Sequence, residues 1–276
     1  MRAILLYAFL LFAMGSASAM YLQIVGPVSG TVYNNGSIYL GKVGPGESFY
    51  VLASAETTNA SGKLINIGWD TLEGVALPNG WYAQASPLYE NPMKVKITTS
   101  NDTQQGTYHM ILRAVNVENY SRLGNLTINA FVNVTPDVLN VSVTPEVVEV
   151  GVGQPGNLYI TINNTGISDD PFIINAYNLP AWNLPEEVIA LHGRSTTFVY
   201  PTYIDEPGVY PFSLTVYAAT SPFLIRSTYN ISLIAKASLL NDFGAVGEGT
   251  VLSPIIYEPA YAIMLFIQKI IEAVAK

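Results

Sequence analysis

Leu158-Tyr159-Ile160-Thr161-Ile162-Asn163 places a large aliphatic side chain at every second position, with polar or amphipathic ones between. Successive side chains of a strand point to opposite faces, so such a run has one face for a core and one for water. Val141-Ser142-Val143-Thr144 and Leu123-Gly124-Asn125-Leu126-Thr127-Ile128-Asn129 follow the same rule. From Tyr21 to Ala235 the period stays at two, and no stretch carries a helical stripe. Gly, Pro or Asn clusters interrupt the pattern about every ten residues, the spacing of a sandwich or barrel. An all-β body is therefore predicted.

The body also repeats. Leu77-Pro78-Asn79-Gly80-Trp81 returns as Leu179-Pro180-Ala181-Trp182, and Gln105-Gly106-Thr107-Tyr108 returns as Glu206-Pro207-Gly208-Val209-Tyr210. Leu77 to Leu179 and Gly106 to Gly208 share an offset of 102. Two motifs with one offset predict tandem copies of one fold. Immunoglobulin-like β-sandwich domains are expected over 20–135 and 137–236, meeting at Thr135-Pro136-Asp137. Trp81 should then superpose on Trp182 and Tyr108 on Tyr210, all largely buried. Sugar-stacking platforms are the functional alternative for the tryptophans; equivalent places in a repeat favour core packing.

The second domain resembles the NEW3-type immunoglobulin-like domains of archaeal and bacterial proteins, relatives of the CARDB adhesion-type modules. The resemblance is carried by Thr161-Ile162-Asn163-Asn164-Thr165-Gly166, Leu179-Pro180-Ala181-Trp182, Glu206-Pro207-Gly208-Val209-Tyr210 and Val216-Tyr217-Ala218-Ala219-Thr220. It covers most of 140–235, while the first domain shares only the Leu-Pro-x-Gly-Trp turn and the Gly-x-Tyr strand. His192-Gly193 stands where the family pattern usually has Pro-Gly. The resemblance implies a seven-stranded sandwich on secreted or membrane-tethered proteins, without catalytic residues.

A chain of 276 residues suffices for two cores. Half its residues are hydrophobic and 12% charged, too apolar for disorder. The net charge of −8 comes from 20 acidic and 12 scattered basic residues, which argues against a nucleic-acid partner. Cysteine is absent, excluding disulfides, zinc thiolates and a cysteine nucleophile.

Arg2, the apolar run Ala3–Met14 and the small residues ending in Ala17-Ser18-Ala19 read as a secretory signal, residues 1–19, cleaved after Ala19. The run is shorter than the roughly 20 residues that a membrane span needs. Asn-x-Ser/Thr occurs at Asn35, Asn59, Asn101, Asn119, Asn125, Asn133, Asn140, Asn163 and Asn230. Chance pairing of this chain's Asn with its Ser and Thr would give about three such acceptors, so the excess predicts a glycoprotein.

Catalytic chemistry finds little footing. His109 and His192 lie at no metal-ligand spacing, and there is no Gly-x-Ser-x-Gly elbow. Asp169-Asp170, Glu186-Glu187 and Asp205-Glu206 could bind calcium or serve as a glycosidase pair, yet solvated turn carboxylates explain them better. No catalytic residue, cofactor or metal is expected, and the chain is read as a non-enzyme.

The tail differs. Residues 241–250 are a glycine-rich linker, and 251–276 reads as an apolar or amphipathic helix. At 100° per residue Ile263, Phe266, Ile267, Ile270, Ile271 and Val274 share one face, opposite Gln268, Lys269, Glu272 and Lys276. It could span the membrane, lie on it or bind a partner helix. The expected protein is an exported structural or adhesion module at the cell surface, attached through 251–276 to the membrane or to a surface protein. The alternative is a carbohydrate-binding accessory subunit, with glycans as partners. Aromatic residues aligned on an exposed sheet face would favour the alternative.

Overall fold

The structure, a computed structural model, describes residues 20–58, 63–66, 68–117, 123–179 and 184–237, with 263, 264, 266–268 and 271 in the tail. The signal at 1–19, Asn59, Asn119, Trp182, the linker 241–250, Ile270 and Val274 lie outside the described residues.

Every regular element described in the body is a strand, as the period of two requires. The chain divides into two compact units. The first runs to Val138 and takes in Gly166–Asp169; the second comprises Leu139–Thr165 and the described residues from Asp170 onward.

The first unit holds β1 (Tyr21–Gly26), β2 (Gly30–Tyr33), β3 (Ser37–Val43), β4 (Ser48–Ala53), β5 (Thr57–Thr58), β6 (Leu64–Ile65), β7 (Thr71–Ala76), β8 (Tyr82–Gln84), β9 (Met93–Thr98), β10 (Gly106–Val115) and β11 (Leu126–Val134). One sheet has the order β2-β1-β4-β9-β8, the other β3-β11-β10-β7, and β5-β6 form a small ribbon. Neighbours are antiparallel except β3, which runs parallel to β11 with Ile38 opposite Ala130. The second unit holds β12 (Leu139–Thr144), β13 (Val147–Gly151), β14 (Gly156–Asn164), β15 (Asp170–Tyr177), β16 (Glu186–Ala190), β17 (Ser195–Thr202), β18 (Gly208–Ala218) and β19 (Arg226–Lys236). Its sheets are β12-β14-β17 and β13-β19-β18-β15-β16, with β13 parallel to β19.

In each unit the N-terminal strands divide between two sheets, and the non-sequential neighbours follow the order of an immunoglobulin-like sandwich. Among the described residues the first unit has β2, β5 and β6 in addition, and one shared strand changes sheet between the units. β8 pairs with β9, whereas β16 pairs with β15, so the strand after the third long one joins opposite sheets.

Alternation becomes a core in both. Leu22, Ile24, Val51, Val95, Ile97, Leu112, Ile128 and Val132 are fully buried in one cluster of the first unit. Leu158, Ile160, Ile162, Ile174, Leu214, Val216 and Leu233 are fully buried in the second. Each such side chain contributes about 1.5–3 kcal/mol relative to exposure. Trp69, just before β7, is the largest fully buried side chain among the described residues. Its indole Nε1 has no hydrogen-bond partner among the described residues, so it serves the core by volume.

The two repeat motifs have distinct physical roles. Gly80 adopts φ +78° in a Pro78–Trp81 turn closed by Trp81 N–H donating to the Pro78 carbonyl at 3.1 Å, a conformation that a side chain would strain. Gly-x-Tyr opens β10 and β18 and forms a tyrosine corner in each. Tyr108 Oη donates to the Gln104 carbonyl at 2.9 Å, and Tyr210 Oη to the Glu206 carbonyl at 3.1 Å. Trp81 is buried and packs on Tyr108 with centroids 5.5 Å apart. Both tyrosine rings are half-buried, short of the burial expected from the sequence, because each hydroxyl must reach a carbonyl at the sandwich edge.

Candidate functional site

A sandwich spends its inner faces on the core, so recognition falls to outer faces and loops. On the β2-β1-β4-β9-β8 sheet the inward set is Val32, Leu22, Ile24, Phe49, Val51, Met93, Val95 and Ile97. Alternation then turns Tyr21, Gln23, Tyr33, Tyr50, Lys94, Lys96, Tyr82 and Gln84 outward.

Register fixes how these outward groups meet. Tyr21 lies opposite Tyr33, their rings edge to face at 6.4 Å. Tyr50, Lys96 and Gln84 form one row across β4, β9 and β8; Ser48, Thr98 and Tyr82 form the next. Tyr33, Tyr50 and Tyr82 are 54%, 45% and 65% exposed. Ser48 and Thr98 hydroxyls bond at 2.8 Å, and Thr31 donates to Gln23 Oε1 at 2.6 Å. Lys94 pairs with Glu90 at 2.9 Å, and that hydrogen bond and charge hold its ammonium above the usual lysine pKa. Lys96 has no ion-pair partner among the described residues. No Asp or Glu occurs on these five strands, in a chain of net charge −8.

On the outer face of the other sheet Tyr39 is also 54% exposed, but the charged side chains and His109 find partners. Arg113 pairs with Glu73 at 2.5 Å, His109 Nε2 meets Asn129 Oδ1 at 2.8 Å, and the His109 ring stacks on Phe131 at 4.9 Å. In the second unit a shallow groove of about 390 Å³ is lined by Ile173, Tyr177, Tyr217, Phe223 and Arg226.

Among the glycosylation candidates, Asn35, Asn101, Asn125, Asn140 and Asn230 are exposed, while Asn133 and Asn163 are half-buried within β11 and β14. Asn35 occupies the turn after β2 with φ +60°. Asn140 and Asn163 lie directly opposite each other, roughly 5 Å apart at their Cα atoms, which leaves little room for two glycans. None of the seven described candidates lies on the strands of the tyrosine face.

The carboxylate pairs stay apart in role. Asp170 is buried at the start of β15 while Asp169 is exposed; Glu206 lends its backbone carbonyl to the tyrosine corner. No group of three metal-ligating side chains forms among the described residues. In the tail Ile263, Met264, Phe266, Ile267 and Ile271 are helical and exposed. Among the described residues no helix is long and apolar enough to cross a membrane.

The tyrosine face escaped sequence reading. Each strand displayed its period, but the meeting of Tyr50 with Lys96 depends on a pairing between segments some 45 residues apart.

No family model matches this chain, and no curated protein does. Among solved structures it is similar to a chimaeric titin Z1Z2 carrying an exogenous KLER peptide from decorin, at 13% identity over 80% of this chain and 100% of that one, with a TM-score of 0.35. It is also similar to domains 4 and 5 of the S-layer protein SbsC, at 16% identity over 80% and 98%, with a TM-score of 0.30. A third likeness is to the Yersinia pseudotuberculosis adhesin InvE, at 11% identity over 70% and 56%, with a TM-score of 0.28. Likeness this weak adds nothing to the strand order and register, on which the fold assignment stands.

Proposed function

We propose that this protein is an exported, non-enzymatic structural or adhesion protein. In this reading two tandem immunoglobulin-like domains of the NEW3/CARDB kind follow a cleaved signal at 1–19. Glycans decorate the exposed acceptors, and 251–276 attach the protein to the membrane or to a surface protein. The observation that carries it is the tyrosine face: a sandwich whose core is already closed keeps three large rings open to solvent on one sheet. Surface rings gathered in this way gain their value when a partner covers them. The same rings favour the second reading, a carbohydrate-binding accessory subunit.

Protease shaving of intact native cells should remove the sandwich domains, and deleting 251–276 should release a folded protein into the medium. Intact mass should exceed the bare chain from Met20 through glycans at some of Asn35, Asn101, Asn125, Asn140 and Asn230. Protection from protease on intact cells would overturn the display; a bare mass would overturn the glycosylation.

A further inference from the structure

We propose that the outer face of the β2-β1-β4-β9-β8 sheet is a platform for a linear anionic polysaccharide, a polymer rich in uronic acid. The proposal deepens the carbohydrate-binding reading and rests on it.

Three independent features of the face converge. The first is its aromatic content. Tyr50 and Tyr82 sit two strand spacings apart, about 9.5 Å across the sheet, with one two-residue step along it. A short run of pyranose rings spans that distance, and tyrosine rings offer flat apolar surfaces to the C–H faces of sugars. Polar groups alternate with the rings: Gln84 and Lys96 share the Tyr50 row, Thr98 and Ser48 the Tyr82 row. Sugar hydroxyls need such donors and acceptors beside each stack.

The second feature is charge. Two lysines stand on β9 at adjacent outward positions, and the five strands carry no carboxylate. Glu90 neutralises Lys94, leaving the Lys96 ammonium between Tyr50 and Gln84 for a carboxylate of the ligand. In a chain of net charge −8 this is a local reversal of sign. An acidic protein would meet the same charge, but the alternation of flat rings with hydroxyls and amides suits a polyhydroxylated chain better than apolar anchor side chains.

The third is the distribution of acceptor asparagines. Asn133 stands on β11 of the opposite sheet, Asn125 immediately precedes that strand, and Asn35 and Asn101 lie in turns, so this unit's described acceptors are off the strands of the tyrosine face.

The test is native affinity electrophoresis of the full chain in gels containing polygalacturonate or the same polymer with its carboxyls methyl-esterified. Polygalacturonate should retard the protein, increasingly so at low ionic strength, and the ester should retard it far less. Tyr50→Ala with Tyr82→Ala should weaken binding about tenfold or more. Lys96→Gln should erase the preference for free over esterified polymer. Arg226→Gln, in the other unit, should change nothing. Unchanged thermal unfolding of the exposed-face variants separates lost contacts from lost folding. Absent retardation at low ionic strength overturns the platform. So does equal retardation by the ester, or equal retardation by polyglutamate that ignores the tyrosine substitutions. Because the gel uses purified protein, a platform that binds while shaved cells keep their protein refutes only surface display. Display without binding refutes only the platform.

Discussion

Replacing Tyr210 by Phe removes one hydroxyl and leaves the ring in place. In the folded sandwich that hydroxyl donates to the Glu206 carbonyl at 3.1 Å; in the unfolded chain it bonds to water. The net worth of a neutral hydrogen bond of this kind is about 0.5–1.5 kcal/mol. The ring is half-buried and Glu206 exposed, so water can re-satisfy the freed carbonyl, which places the expected cost near or below about 1 kcal/mol. For a unit of this size each kcal/mol lowers Tm by roughly 4–8 °C, so a fall of about 4 °C is expected. Tyr108→Phe breaks the twin bond at 2.9 Å and should lower the transition of the other unit by a similar amount. Gly208→Ala attacks the same corner from below: its Cβ would lie 3.1 Å from Tyr210 Cε2, pushing the ring away from its carbonyl. Combined with Gly208→Ala, Tyr210→Phe should therefore cost less than it does alone. Scanning calorimetry of the full chain reads the wild type and each of these variants. The corner reasoning fails if Tyr210→Phe shifts Tm no more than Tyr50→Phe, whose ring stands on the open face. It also fails if the costs of Gly208→Ala and Tyr210→Phe simply add.

Trp69→Ala should cost about 3–5 kcal/mol, measured by urea unfolding, because a fully buried indole leaves a large cavity. Trp69→Phe should cost clearly less, since Nε1 has no bond to lose; equal losses would show the indole N–H to be engaged. Burial raises the pKa of both Tyr200 and Tyr229 above the ordinary tyrosine value of 10.0. The folded state thus favours the neutral phenols, so this stability is complete below pH 10.0 and is lost as pH rises through the folded-state values. Urea midpoints compared just below and well above that pH should fall for the wild type, with part of the phenolate absorbance appearing only on unfolding; a pH-independent midpoint would refute the assignment.

Strand identity was legible in the sequence because alternation is local: Leu158, Ile160 and Ile162 each need only the neighbour two residues away to declare a face. The Gly-x-Tyr repeat was legible as a recurrence, but its purpose was not. The bond from Tyr210 to Glu206 depends on the chain turning back over four residues, and the motif could equally open a plain strand. Trp69 carries no repeat signal, because the position 102 residues on is Pro171, and a lone tryptophan between two short apolar runs does not declare its burial. The choice between β8 joining β9 and β16 joining β15 was beyond sequence reading as well. Both segments follow a Leu-Pro sequence motif, and the sheet that each joins is decided by long-range packing.

The same distinction explains why binding residues are harder to read here than core residues. A core position announces itself by being apolar wherever its partners lie. A sheet-face site is made of residues that are individually unremarkable: a tyrosine, a lysine and a glutamine on three strands, each acceptable on any wet surface. Only the β4-β9-β8 register makes Tyr50, Lys96 and Gln84 a row. The opposite sheet supplies the contrast, for it holds a similar inventory yet pairs Arg113 with Glu73 and His109 with Asn129. Charge that is answered within the sandwich stabilises it slightly and attracts nothing. Charge left unanswered beside open rings is what a ligand can use, so the faces differ in what their residues leave unsatisfied more than in which residues they hold.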